Sequence, residues 1–395
     1  MEFLLNHTDE KQILNNLNNH QSIKNPKILL CFSHLRWDFV YQRPQHLLSR
    51  FSTDYTVMFF EEPIFDSHGD PSLTFSLRAD RLWVVVPHLP AGTSGDTSNE
   101  ILKRLLDNLL ESFDMSSFIF WYYTPMAMSF SSHFKPSFIV YDCMDELSNF
   151  KFAPPELRTN EEELFNRADI VFTGGHSLYH AKKSKHKNIF PFPSSIDKSH
   201  FEKARDTDEE PLDQKNIPYP RLGFYGVIDE RFDIELIANM AAKKPDWHFV
   251  LLGPVVKIDP ATLPKLANIH FLGGKTYNEL PAYLSGWDVA LIPFLLNEAT
   301  RYISPTKTPE YLSAGVPVIS TPIHDVVSPY GEEGLVKIAT DDVEFILAAE
   351  ELLKMDLDTF LPVADAFLSK QSWTLTYENM KERISQTLHS ITNLN

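Results

Sequence analysis

At 395 residues the chain is long enough for two domains, each with its own core. Hydrophobic residues make up 43% and charged residues 23%, the proportions of a globular protein, which excludes a disordered or fibrous one. The net charge of -17 argues against a nucleic-acid binder, yet leaves room for a small anion held by local N–H groups and one or two cations.

Residues 1–26 form a polar, Asn-rich leader without the apolar centre of a signal peptide. No apolar run approaches twenty residues, so a cytoplasmic location is expected. Cys31 and Cys143 lie in apolar runs without metal spacing and are expected as small buried residues in a reducing compartment. A first domain, 27–205, opens on the strand Lys27 to Phe32. Just past its end come His34, Arg36, Trp37 and Asp38, then Arg43 and Gln45 at the start of a helix; ligands of open α/β sheets bind beyond such strand ends. Further strands are expected at Thr56 to Phe60, Leu82 to Val86, Phe118 to Tyr122 and Phe138 to Tyr141, with an amphipathic helix from about Glu100 to Phe113. The acidic run after Tyr141 has three readings: a metal site, Asp142 and Asp145 lining a cleft on the acceptor side, or those two orienting His34 or Arg36. Glu161 to Ala168 continues a helix that feeds the strand Asp169 to Thr173. Gly174 and Gly175 before His176 either allow a ligand close to the backbone or make a turn. The basic run Lys182 to Lys187 is a solvated helix end or a contact with the inner face of a membrane.

The acidic, aperiodic segment 206–218 reads as a linker into a second domain, 219–365. There the strand Arg221 to Tyr225 meets Gly226 and then Arg231, a candidate cation for a diphosphate. Strands at Trp247 to Leu252 and Ile269 to Leu272 follow, and then the strand Asp288 to Phe294. A polar loop carrying Glu298 and Arg301 leads to Ser304 as an N-cap, a helix over about Thr306 to Ala314, and the strand Val316 to Ser320. Unpaired N–H groups at that helix start suit a phosphate; Lys307 adds a full charge, and Glu310 is placed for a pair of sugar hydroxyls. A helix from Asp342 to Leu353 closes the domain. The segment 366–395 carries a last helix, Gln371 to Ile384. Strand and helix alternate throughout, so the fold class is α/β with parallel, doubly wound sheets.

Two motifs carry a family likeness. Ser304-Pro-x-Lys307-x-x-Glu310-Tyr-Leu-x-Ala-Gly-x-Pro-Val resembles the nucleotide-sugar motif of glycosyltransferases with two Rossmann-like domains, the GT-B architecture, in the family 4-like group that includes retaining enzymes of cell-surface polysaccharide synthesis. Trp37-Asp-x-x-x-Gln-Arg-Pro-Gln-His-Leu47 is similar to the N-terminal signature of bacterial enzymes tied to teichuronic-acid and capsule-type polymers. The resemblance implies an interdomain cleft, a last helix that crosses back to the first domain, Lys307 on the donor diphosphate and Glu310 on the ribose. Tyr302 stands where many relatives carry a first Glu, and Glu298 lies four residues upstream.

The expected activity is transfer of a hexosyl group from a nucleoside-diphosphate sugar to a glycan or lipid-linked acceptor, with retention implied by the resemblance. No cofactor and no metal are expected, since dipoles and cations neutralise the leaving diphosphate. His34, Asp142 and Glu298 are the catalytic candidates. Gly226, Arg231, Arg301, Ser304, Thr306, Lys307 and Glu310 are the donor side; Arg36, Trp37, Arg43, Asp145 and His176 are the acceptor side. The alternatives are a nucleotide-sugar epimerase of the same architecture and a non-catalytic nucleotide-sugar binder, for which Tyr302 is the best argument.

Overall fold

The computed structural model describes residues 28–207 and 209–392; the expected polar leader, 1–26, lies outside the described residues. The first sheet is built on β1 (Ile28–Phe32), flanked in parallel by β2 (Thr56–Phe60) and β6 (Phe118–Tyr122). Outward from β2 lie β5 (Leu82–Pro90) and β3 (Ile64–Ser67), with β4 (Ser72–Ala79) antiparallel on β5. Outward from β6 lie β7 (Phe138–Cys143), β8 (Ile170–Thr173) and β9 (Ile189–Pro191), all parallel. Every residue of β1, β2, β6 and β7 is buried, as a sheet covered on both faces requires. Alternate β1 residues enter two different cores: Ile28, Leu30 and Phe32 one, Leu29 and Cys31 the other.

Four helices of this domain matter for the site: α1 (Arg43–Phe51), α2 (Gly95–Leu110), α3 (Glu156–Arg167) and α4 (His176–Lys182). The second sheet has the order β12-β11-β10-β13-β14-β15, wholly parallel: β10 (Arg221–Tyr225), β11 (His248–Leu252), β12 (Ile269–Gly273), β13 (Val289–Ile292), β14 (Val318–Ser320) and β15 (Val336–Ile338). Its helices include α5 (Ile234–Lys243), α6 (Lys307–Ser313), α7 (Asp342–Leu352) and α8 (Leu357–Leu368).

The last helix, α9 (Trp373–Thr392), packs Trp373, Met380 and Ile384 against Leu47, Leu48, Phe51 and Trp121 of the first domain. At about 1.5–3 kcal/mol for each large apolar side chain buried, these three fix the crossing firmly. Cys31 and Cys143 are buried and unpaired.

Three local features differ from expectation. The β3–β4 edge is an addition: β4 is mostly exposed, so no buried apolar run announces it. Helix α2 starts at Gly95, five residues before Glu100, after Ser94 in extended backbone. The segment expected as a linker packs on the second domain. Gln214 is buried, donates to Tyr283 O at 2.9 Å and accepts from Trp287 Nε1 at 2.9 Å, while Glu210 meets Arg221 at 2.6 Å.

Candidate functional site

The second domain's wall begins where β10 ends. Gly226 adopts φ +143°, open to glycine and rarely to other residues, and a Cβ there would run into the Lys307 side chain. Lys307 therefore lies directly along this backbone. It comes from α6, which begins at Lys307 with Thr306 as its cap in helical backbone, not at Thr306 with Ser304 as cap. The helix is only seven residues long and carries Pro309, which has no N–H, so little dipole and few free donors face outward. The positive charge rests instead on side chains. Burial lowers the Lys307 pKa and Arg231 adds to the fall, while Glu310, Asp229 and Asp145 pull it back up. Burial would also lower Arg231, but Asp229 grips its guanidinium at 2.8 to 3.1 Å and holds its pKa above the ordinary value.

Glu310 is 5% exposed and accepts a hydrogen bond from the Tyr225 hydroxyl. Burial raises its pKa against the opposing pull of Tyr225, Lys307 and Thr306. The one-turn spacing from Lys307 is as the sequence predicts; the tyrosine partner, 85 residues away, is not visible there.

The first domain's wall is the set of loops after β1 and β7. Burial pushes the His34 imidazole down to about 4 against the opposing Tyr123 backbone, and Lys257 of the second domain adds a smaller part to the fall. The ring is neutral near pH 7, and its Nδ1 is buried without a hydrogen-bond partner. Burial raises the Asp145 carboxyl to about 6, against the pull of Arg231, Arg43 and Lys307. A first-domain carboxylate thus faces the second domain's cations.

Several candidates take other roles. Asp142 is 0% exposed and bound by Arg43, Nη2 to Oδ1 at 2.8 Å and Nε to both oxygens at 3.1 Å. Arg43 also donates to Phe192 O at 2.7 Å. Neither reaches the cleft, which corrects both Asp142 as a catalytic group and Arg43 as an acceptor contact: two charges buried this deeply satisfy each other. Arg36 is held by Glu61 at 3.0 Å and by the carbonyls of Glu62 and Pro63. The Trp37 ring packs edge-on to Phe59. Both shape the β1 loop, which Gln45 braces through Trp37 O and Val40 O. His176 is exposed. What approaches Gly175 is the second domain, since a Cβ there would meet the Asp325 carboxylate and Ser304. Within the acidic run Glu146 pairs with Lys182 at 2.7 Å and Asp142 with Arg43. Among the described residues no three potential ligands converge. Lys182, the first residue of the basic run, is buried between Glu146 and Glu161 rather than solvated.

The turn before α6 faces the first domain. Ser194 Oγ donates to Ser304 O at 2.8 Å, Ser177 N to Asp325 Oδ1 at 2.9 Å, and Asn149 Nδ2 to Glu298 O at 3.1 Å. Tyr302 packs its ring against the first domain's core. The position where the resemblance leads one to expect a carboxylate is here an apolar contact between domains. Glu298 and Arg301, with side chains 72% and 59% exposed, sit 3.5 Å apart. They line a cleft of about 700 Å³ together with His180, Tyr302 and His324, and neither Lys307 nor Glu310 is among its lining residues. Tyr225, Asp229, Phe150, Lys257 and Asp325 escaped the sequence reading. Only Asp229 left a signal, two residues before Arg231 in one loop.

Residues 220–355 match the family described as "Glycosyl transferases group 1". TuaH of Bacillus subtilis (strain 168), named as a teichuronic acid biosynthesis glycosyltransferase, is 24% identical over 300 residues, covering 71% of this chain and 75% of that protein. The second domain thus matches the group 1 glycosyltransferases, and the chain as a whole has the two-domain GT-B architecture. The sucrose-phosphate synthase of Thermosynechococcus elongatus superposes with a TM-score of 0.65 at 13% identity, over 92% of this chain and 100% of that chain. HepE of Anabaena, solved with UDP and glucose, superposes with a TM-score of 0.63 at 14% identity, over 91% and 99% of the two chains. The group 1 domain contains every residue of the Gly226, Arg231, Lys307 and Glu310 wall. Among the described residues no helix is long and apolar enough to cross a membrane.

Proposed function

We propose that this glycosyltransferase moves a hexosyl group from a nucleoside-diphosphate sugar to a hydroxyl of a glycan or lipid-linked acceptor in cell-surface polysaccharide synthesis. One observation carries the reading: Lys307 lies along the Gly226 backbone, one turn from Glu310 and beside Arg231, across from His34 and Asp145. The diphosphate rests on Lys307 and Arg231 and the ribose meets Glu310. In the reaction the bond from the anomeric carbon to the diphosphate oxygen breaks, its electron pair leaves with the diphosphate, and the acceptor hydroxyl oxygen bonds to that carbon as its proton passes to the departing diphosphate. Lys307 and Arg231 stabilise the departing charge, the role a divalent cation plays in other transferases. The neutral His34 ring offers its unpartnered Nδ1 to a sugar hydroxyl. With the domains closed, water is kept from the anomeric carbon.

HepE was solved with UDP and glucose, and TuaH bears a name from teichuronic acid synthesis; both support this substrate class. Retention of configuration, independence of added metal and a cytoplasmic site of action belong to the same reading. So does peripheral contact with the inner membrane face, now through the exposed Lys183, Lys185 and Lys187.

Incubation with UDP-, GDP- and dTDP-sugars, with and without EDTA, tests it. Transfer to acceptor or slow hydrolysis of one donor supports the reading; formation of an epimer, or binding without turnover, overturns it. Lys307→Ala is expected to weaken nucleoside-diphosphate binding at least about tenfold and leave nucleoside binding unchanged. Equal loss of both would show that the phosphates lie elsewhere.

A further inference from the structure

The second domain turns three cations toward the first, and their charges are not equally committed. Arg231 is gripped by Asp229, and Lys307 lies under Gly226 beside Glu310. Lys257 differs from both. It sits beyond β11 with φ +61°, a backbone conformation that a lysine adopts only where its surroundings impose it. Its Nζ is 3.6 Å from Glu230 Oε1, too long for a hydrogen bond, and its side chain is 44% exposed. Both Glu230 oxygens are buried and accept no hydrogen bond. The ammonium instead lies over the ring of Phe150, 5.8 Å from its centre, and Arg231 lies over the same ring at 5.5 Å. One aromatic ring of the first domain therefore touches two cations of the second. The Lys257 charge is also close enough to depress the His34 imidazole.

We propose that Lys257 is a third contact for the donor diphosphate, set in place by Phe150 as the domains close. The proposal rests on the reading of the site as a nucleoside-diphosphate-sugar transferase. A cation held on a ring face keeps its N–H donors on the far side free, and an anion can take them without displacing the ring. Lys257 can also give up its loose contact with Glu230 at little cost and turn all its N–H groups to an anion, whereas Arg231 has Nε and Nη2 engaged by Asp229 and offers only its remaining N–H groups. Phe150 is a positioning residue: it orients two cations of the opposite domain and touches no substrate. Closure of the cleft thereby completes the charge that the leaving diphosphate requires.

Isothermal titration of the full chain with UDP, GDP and dTDP, and with the matching nucleosides, tests this. For the diphosphate that binds best, Lys257→Ala is expected to weaken binding about tenfold, with nucleoside binding and Tm unchanged. Lys257→Arg should restore most of the loss, and Lys257→Gln, which keeps the stem without the charge, should behave like the alanine variant. Phe150→Ala should weaken the diphosphate a few-fold, again without affecting the nucleoside. If Lys307→Ala weakens the diphosphate while Lys257→Ala and Lys257→Gln do not, the inference fails and the functional reading stands. If no nucleoside diphosphate binds, or Lys307→Ala has no effect, the functional reading fails and the inference falls with it.

Discussion

Replacing Asp145 with asparagine removes one negative charge from the first-domain wall while keeping the side chain's shape. Its carboxyl, ordinarily at 3.8, is pushed up to about 6 by burial despite Arg231 and Lys307 across the cleft and Arg43 on its own side. At about 1.4 kcal/mol per pKa unit, ionising it in the fold costs up to ~3 kcal/mol relative to the unfolded chain. Partial exposure and loop relaxation bring the expected figure to ~1–2 kcal/mol. The sign follows from the raised value. Below about pH 4 the group is largely protonated in both states and no penalty exists; stability is lost as pH rises through about 6. Asp145→Asn should therefore raise Tm by a few degrees at pH 7.5, with most of the gain gone at pH 4. The same charge opposes a diphosphate, so the variant should bind UDP, or whichever nucleoside diphosphate the protein prefers, more tightly at pH 7.5. Near pH 5 the difference should vanish. Melts at pH 7.5 and 4, with titrations at pH 7.5 and 5, provide the measurement. An equal Tm gain at both, or a loss at pH 7.5, would refute the argument, because it would mean the cations more than offset the burial.

Arg43→Met alone strands Asp142 as an unpaired buried charge and should cost ~3–5 kcal/mol in urea unfolding, whereas Arg43→Met with Asp142→Leu should recover much of it. Lost activity at unchanged stability would instead give the pair a part in the reaction. Gly175→Ala places a methyl group against Asp325 and Ser304 of the other domain, so small-angle scattering should show a larger radius of gyration while nucleoside-diphosphate binding survives. An unchanged radius would count against this contact as a requirement for closure.

The buried parallel strands were legible because each is a continuous apolar run, and Lys307 and Glu310 because they share one helix. What the sequence could not convey is pairing across distance. Arg43 and Asp142 are 99 residues apart, and each looks equally available for substrate until the fold joins them. Lys182 reads as one of a basic run, yet Glu146 and Glu161 enclose it. Tyr302 replaces an expected carboxylate, and only the packed structure shows its ring on the other domain. Helix α8 was missed because Pro362 stands within it, and the exposed β4 because it lacks a buried run. Lys257 carries no motif at all; its backbone angle and the ring it touches are purely three-dimensional facts.

The chain passes between its two halves twice, once near Ile196 and again just before Trp373, and the two passages are tied by a bond from Trp373 N to Ile196 O at 3.2 Å. A body held at two adjacent pins can swing but cannot readily slide or spin, so relative motion reduces to nearly one degree of freedom. A swing about that axis would part the loops around Lys257 and Phe150 and bring them back to the same contact.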